Sequence, residues 1–472
     1  MTFAWGRRAA WALPAAGLYL ATVAAWLPHR HWDPDEFQHA QFAWLIAQGL
    51  LPYRDFFEHH PPLWHMLAAP FAGRVDEASA PSAFAFLVGG RLASLLCSAG
   101  LAAATWALAR RFAPAGVAAL AVALLIGATF FITKGMELRP DPLCALLRAL
   151  AALSLSVAAG AGRPALGCLA AGVAFGTAAM VSQKAVMGAP GLALGYLLLA
   201  HPQLGTARAL ASAAAAVPGA LLAVLPAVAW FAAHGALGDF VHHTLLVNLG
   251  WPRDGGTALY WHLRLMASRD AVLILLGIAG IAFVRGPAAR FLLPVLLALA
   301  AGGLALPVAQ EQYILLALPF AAVWAALAAQ RIAARLPSPR LRGMALATLA
   351  LLLALTTARN LQAGYARTDD ATRVLVARLL EAVPPDGTIL AGWTPGFAFR
   401  RPAWRHFFVH EEVERVIPAR DLATLEEGLR RGTISPGAVD ADLLPRLPPT
   451  IADLLRAQTM PTTTPGLLLP GP

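Results

Sequence analysis

Apolar residues in this chain run in blocks of bilayer-spanning length, and polar residues gather in the gaps between them. WALPAAGLYLATVAAWL (11–27), AGVAALAVALLIGATFFI (115–132) and GMALATLALLLALTT (343–357) are examples. Continuous apolar runs of this length predict transmembrane helices and not the short amphipathic helices of a water-soluble domain. The pattern places spans at roughly 9–29, 84–108, 114–133, 142–160, 165–182, 186–200, 209–232, 270–284, 291–307, 314–330 and 343–358. The stretch 165–200 reads either as two short helices broken at Gln183-Lys184 or as a broken helix with a re-entrant segment. Basic residues collect in alternate gaps: Arg7 and Arg8, Arg110 and Arg111, Arg163, Arg208, Arg285 and Arg290, then Arg331, Arg335, Arg340 and Arg342. The positive-inside rule makes these gaps cytoplasmic. The odd number of spans then puts the amino terminus inside and everything beyond Thr357 outside, as expected of a multi-pass protein of a cytoplasmic membrane.

Composition agrees. Of 472 residues, 58% are hydrophobic and only 13% charged, and mean hydropathy is +0.61, whereas a soluble domain carries about 25% charged residues. The first span has a basic start and an apolar core but no small-residue cleavage site, which reads as a retained anchor. GVAFG (172–176) and GLALG (191–195) have the small-x-x-x-small spacing of close helix contacts. Cys97, Cys144 and Cys168 all fall in spans, so no disulfide framework is expected. The net charge of +10 is assigned to topology and lipid headgroups and predicts no nucleic-acid partner.

The expected fold is an all-α polytopic membrane protein of about eleven transmembrane helices, within a range of ten to thirteen, with a small extracytoplasmic α/β appendage. The transmembrane unit covers 1–358, with outer segments 30–82, 134–141 and 233–268; the appendage covers 359–460; residues 461–472 read as a disordered tail. In the appendage, 369–384 and 422–432 have amphipathic helix patterns, 388–393 a strand pattern and 451–458 a third helix. Gathering polar residues on one side suits an enzyme with an extracytoplasmic site better than a channel or carrier. A transporter or a non-catalytic glycan or lipid assembly protein is the alternative.

Chemistry concentrates in the first outer segment, HRHWDPDEFQHAQFAWLIAQGLLPYRDFFEHHPPLWHML (29–67). A helix starting here puts Asp35 and Glu36 near His39; the bland reading is helix capping by Asp33 or Asp35. The second outer segment, KGMELRPD (134–141), sets Lys134, Glu137, Arg139 and Asp141 close to hydrocarbon, where charges are paired or functional. Lys184 interrupts an apolar region and either snorkels to the interface or binds an anion. The aromatics Trp251, Tyr260 and Trp261 either stack on a sugar or form the interfacial belt, and GWTPGFAFRRPAWRHFF (392–408) either binds carbohydrate or docks the tail. Glu36, His39, Glu58, His59, His60, His242 and His243 offer ligand atoms for a divalent metal ion.

The Asp35-Glu36 pair, the PYRDFFEHHPPLW segment (52–64), the LRPD turn (138–141) and QYILLALP (312–319) together resemble the bacterial GT-C glycosyltransferases, nearest the protein-mannosyltransferase and aminoarabinose-lipid A transferase superfamily, over about 1–330. The resemblance implies a polyprenyl-phosphate sugar donor, a hydroxyl acceptor on a glycolipid, polysaccharide or protein, and inversion at the anomeric carbon. It implies Asp35 as base, with Glu36 its acidic neighbour and Asp141 the second acidic position. Arg54, Arg139, Lys184, Arg264 and Arg269 are candidates for binding the lipid phosphate, and Tyr313 for contacting substrate. The run Gln310-Glu311-Gln312-Tyr313 departs from the family pattern, which often has a basic residue or His before the Tyr.

Overall fold

The computed structural model describes residues 12–253, 257–305, 308, 310–366 and 368–471. The basic start at Arg7 and Arg8 lies outside them. Seven described helices are long and apolar enough to cross a membrane: Ala80–Arg110, Asp141–Ala158, Pro164–Val181, Gln183–Leu204, Thr206–Ala233, Pro287–Ala305 and Pro339–Gly364. The pair Tyr260–Arg269 and Ala271–Phe283, bent by 101°, makes an eighth if it counts as one span.

This is fewer than the eleven spans expected, because some apolar blocks do not form one straight helix. The block 114–133 splits: Ala115–Ile126 ends at Gly127, and Thr129–Lys134 restarts it. Asp270, between the two halves of the bent pair, secures the break by accepting the Thr129 N–H at 3.1 Å. Asn360 donates to Gly127 O at 3.0 Å and Asp270 Oδ1 at 3.3 Å. Leu318–Ala334 has 17 residues, which at ~1.5 Å per residue falls short of a ~30 Å hydrocarbon core. The first block is seen as Ala12–Trp26.

The stretch 165–200 resolves as Pro164–Val181, a 3-10 turn Gln183–Gly188, and Ala189–Leu204. The small-residue motifs mark real crossings. A side chain on Gly172 or Gly176 would overlap backbone of Ala216 or Ala220, and one on Gly191 or Gly195 backbone of Pro294 or Phe291. Removing Cβ there lets the helix axes approach. The three cysteines are free.

The carboxy-terminal part carries a five-stranded sheet in the order β2-β1-β3-β5-β4, with β1 Thr388–Leu390, β2 Arg401–Pro402, β3 Ala438–Asp440, β4 Thr459–Pro461 and β5 Leu467–Pro470. β1 runs parallel to β2 and β3, while β5 is antiparallel to β3 and β4. Helices Asp370–Ala382, Ala419–Arg431 and Pro449–Gln458 flank it. The expected disordered tail is ordered over its described residues 461–471: the turn at Gly466, with φ 84°, sends Leu467–Pro470 back into the sheet.

The segment 397–409 packs this unit onto the first outer segment. Gln41 donates to Arg400 O and accepts from Phe399 N–H, both at 2.6 Å. Arg400, fully buried, donates to the carbonyls of Leu380, Val383, Phe399 and Glu77. Phe57 N–H donates to Arg405 O at 2.8 Å.

Candidate active site

The site begins with one helix end. Asp33 caps helix Pro34–Ala47 by accepting from Asp35 N–H at 3.0 Å, and Glu36 accepts from Asp33 N–H at 3.1 Å, a reciprocal capping box. The cap fixes the rotation of the first turn and sends the neighbouring carboxylates apart. Asp33 and Asp35 face a cavity of ≈ 1120 Å³. Glu36 points into the core, fully buried, where Arg91 donates to its two oxygens at 2.7 and 2.6 Å and Leu138 N–H at 3.0 Å.

Arg139 organises the cavity-side charges. It is ion-paired with Asp35, and lies 3.6 Å from Asp33, 3.2 Å from Glu137 and 3.3 Å from Asp141. Lys134 contacts Asp33 at 2.8 Å and Glu137 at 3.1 Å, and Lys184 contacts Asp141 at 3.0 Å. Burial alone raises the Asp33 carboxyl, but Lys134 and Arg139 outweigh it and hold it well below the usual carboxylate range. Burial raises Glu137, and the pull of Lys134 does not offset it. The cation of Lys184 sits 4.7 Å over the Tyr313 ring. Burial raises the Tyr313 phenol, which keeps it a neutral donor at pH 7.

Beside this wall, Glu58, His59 and His60 hold ligand atoms within 4.8 Å of one another. His60 Nδ1 is 2.8 Å from Glu58 Oε1, while Glu58 Oε2 and His59 Nδ1 are buried with no hydrogen-bond partner among the described residues. Burial depresses His59 far below its ordinary value, leaving a neutral imidazole able to bind a metal. A carboxylate, two imidazoles and two unsatisfied donor atoms fit a divalent ion such as zinc.

Comparison with known proteins places this geometry. Residues 86–230 match the family model described as dolichyl-phosphate-mannose-protein mannosyltransferase. ArnT from Cupriavidus metallidurans, solved bound to undecaprenyl phosphate, has a TM-score of 0.66 at 16% identity, covering 93% of this chain and 95% of ArnT. The chain has a GT-C glycosyltransferase fold. Oligosaccharyltransferase AglB from Archaeoglobus fulgidus, solved with an inhibitory peptide and a dolichol-phosphate, has a TM-score of 0.54 at 12% identity, covering 92% of this chain and 70% of AglB. No curated protein matches the sequence.

On this GT-C framework, Asp35, Arg139, Lys184, Arg269, Tyr313 and His59 share the cavity wall. Other candidates fall elsewhere. Glu36 does not line the cavity: its oxygens are taken up in the core by Arg91 and the Leu138 N–H. Asp141, 1% exposed, stands behind the wall and holds Arg139 and Lys184. Arg54 is exposed and paired with its neighbour Asp55 at 2.8 Å, and Arg264 is exposed over the Trp261 ring at 5.0 Å; neither lines the cavity. His39 is buried with Nδ1 2.9 Å from His65 Nε2 and its ring packs edge-on against His60 of the metal-type cluster, centroids 5.3 Å apart, while His242 lies against His243 with ring centroids 5.1 Å apart.

The GT-C cavity also uses residues that sequence reasoning did not assign to it: Arg30, Glu311, and Trp393, His410, Glu412 and Arg446 from the tail. Glu412 accepts from Trp251 Nε1 at 3.0 Å and Gln310 Nε2 at 2.8 Å, tying the tail to the third outer segment and to the 310–313 run. The only local signal was the density of aromatics and arginines in 392–408. Most of that density makes the docking surface, while Trp393 alone of it reaches the cavity wall.

Proposed function

We propose that this chain transfers a sugar from a polyprenyl-phosphate donor to a hydroxyl group at the periplasmic face of a bacterial inner membrane. The observation that carries the reading is one cavity wall holding a first-loop carboxylate, Asp35, together with Arg139, Lys184, Arg269 and Tyr313. The lipid phosphates bound by the structurally similar ArnT and AglB support the donor class.

In this reaction the acceptor oxygen bonds to the anomeric carbon while the bond from that carbon to the donor phosphate oxygen breaks. The electron pair leaves with the lipid phosphate, the acceptor proton passes to Asp35, and configuration inverts. Lys184 and Arg269 stabilise the leaving phosphate, and Tyr313 donates a hydrogen bond. Arg139 orients the Asp35 carboxylate, and Asp141 positions Arg139 and Lys184. Glu58, His59 and His60 would hold a divalent ion, which when bound would supply further positive charge beside the wall. The acceptor class is a glycolipid, polysaccharide or protein.

The proposed topology keeps eleven crossings. The seven long helices and the bent pair are joined by Ala12–Trp26, Ala115–Ile126 and Leu318–Ala334, with short helices accommodated by local thinning of the bilayer. This places the amino terminus in the cytoplasm and the unit 359–460 outside. Incubation of the purified protein with a panel of labelled polyprenyl-phosphate sugars and membrane extract tests the reading. A labelled product identifies the acceptor class. Its absence with folded protein and authenticated donors contradicts the proposal and favours transport or assembly.

A further inference from the structure

Three tail residues on the cavity wall, Trp393, His410 and Arg446, have no part in the transfer chemistry above. Each follows a different strand: Trp393 comes after β1, His410 after β2 and Arg446 after β3. These strands are parallel neighbours, with β1 in the middle. The chain leaves β1 towards β2 on one side and leaves β3 towards β4 and β5 on the other. Connections that part in this way open a crevice beyond the carboxyl ends of the strands, where open α/β sheets bind their ligands.

Two carboxylates hold the crevice in shape. Asp440, fully buried at the end of β3, accepts from Gly392 N–H at 3.0 Å, Thr394 N–H at 3.1 Å and the Thr394 hydroxyl at 2.8 Å. Asp442 accepts from Trp393 N–H at 3.0 Å and from Arg446 Nε at 3.1 Å. The indole and the guanidinium are therefore set in one frame. The His410 ring lies 4.4 Å from that of Trp393, centroid to centroid. Burial, reinforced by the Arg446 charge, pulls His410 down to about 3. Its Nδ1 accepts from Glu412 N–H at 3.3 Å, so the neutral ring carries its proton on Nε2.

This arrangement narrows what the wall recognises. All three side chains are half-buried, and together they offer a flat aromatic surface edged by N–H donors. A pyranose has the matching form, an apolar C–H face bordered by hydroxyl groups. An extended peptide is read mainly through an open strand edge, whereas β1 and β3 are each paired on both sides. The phosphate-binding cations Lys184 and Arg269 belong to the membrane unit, so the tail wall stands apart from the donor's lipid phosphate.

We propose that Trp393, His410 and Arg446 form a saccharide-binding subsite that seats the acceptor, and that the acceptor hydroxyl therefore belongs to a sugar of a glycolipid or polysaccharide. The ring of Trp393 takes the C–H face, and His410 and Arg446 donate to the hydroxyls. The acceptor role rests on the proposed function; saccharide binding by this wall does not.

The test uses the full-length protein in phosphatidylcholine nanodiscs and fluorescently labelled probes. These are oligosaccharides cut from bacterial envelope glycolipids, fragments of capsular polysaccharide, and Ser- and Thr-containing peptides. Wild type is expected to bind at least one oligosaccharide, and Trp393→Ala to weaken that binding about tenfold or more while affinity for undecaprenyl phosphate stays within about twofold. In transfer assays the same variant should raise the acceptor KM about tenfold and leave the donor KM unchanged. Glycolipid and polysaccharide probes distinguish the two sources of the sugar. If W393A does not fold, Arg446→Met decides by the same readouts. Binding of peptides alone, no binding of any oligosaccharide, or undiminished binding in the folded variant overturns the proposal, and a rise in donor KM instead overturns the acceptor assignment. Absence of sugar transfer with Trp393-dependent oligosaccharide binding intact would overturn the proposed function and leave the saccharide subsite standing.

Discussion

Arg91 and Arg139 each grip a carboxylate from the first turn of the same outer helix, yet they build opposite kinds of site. Arg91 is saturated: it binds Glu36 through two nitrogens, bonds three backbone carbonyls and stacks 3.4 Å over Trp32. Arg139 shares its charge among Asp33, Asp35, Glu137 and Asp141 beside an open cavity. Bond saturation in a dry core marks a structural clasp. Several carboxylates dividing one cation at a cavity wall mark a place where charge can be rearranged as substrate enters.

Removing one partner of each pair separates these roles. Glu36→Gln leaves the Arg91 charge uncompensated in the core and is expected to cost about 3–5 kcal/mol of stability, read as a lowered melting temperature, while transfer per folded molecule stays within a few-fold of wild type. Asp35→Asn is expected to do the reverse. It melts like wild type but transfers sugar at least about a hundredfold more slowly, roughly 2.7 kcal/mol in the barrier.

Acid probes a third region, the contact of the tail with the first outer segment. Burial pulls His406 down to about 4 from an ordinary 6.5, although Asp421 at 2.7 Å opposes it. The unfolded chain therefore binds this proton more tightly, and stability is lost as pH falls from 6.5 towards 4, by about 2 kcal/mol after allowance for partial relaxation. Melting curves across that window should show the loss, and His406→Asn should flatten it. The smallest expected effect is at Lys184→Met, which removes one of several cations and should raise the donor KM about tenfold with kcat changed less. An equal fall in kcat would move Lys184 from holding the phosphate to stabilising the transition state alone.

Local rules reached the start of the outer helix, since Asp33-Pro34-Asp35-Glu36 carries cap, first-turn proline and N3 acid in four consecutive residues. They could not separate Asp35 from Glu36, because what distinguishes them is Arg91, 55 residues away in an otherwise apolar span. Charge alternation located most spans, but a glycine inside an apolar run reads as tolerated, so the break at Gly127 was invisible until Asp270 and Asn360 were seen to hold it. Leu467–Pro470 looked like low-complexity sequence, and its order comes from pairing with β3 and β4. The tail wall of the cavity was unreadable for the same reason: Glu412 meets Trp251 of the third outer segment, and Trp393 lines the same cavity, through an arrangement that no periodicity records.

The most direct test of the division between clasp and cavity is the single-turnover rate of labelled sugar transfer by Asp35→Asn and Glu36→Gln, each divided by its own folded fraction. The account predicts a loss of at least about a hundredfold for Asp35→Asn and near wild-type transfer for Glu36→Gln. Near wild-type transfer by Asp35→Asn, or a comparable loss in both variants, would contradict it.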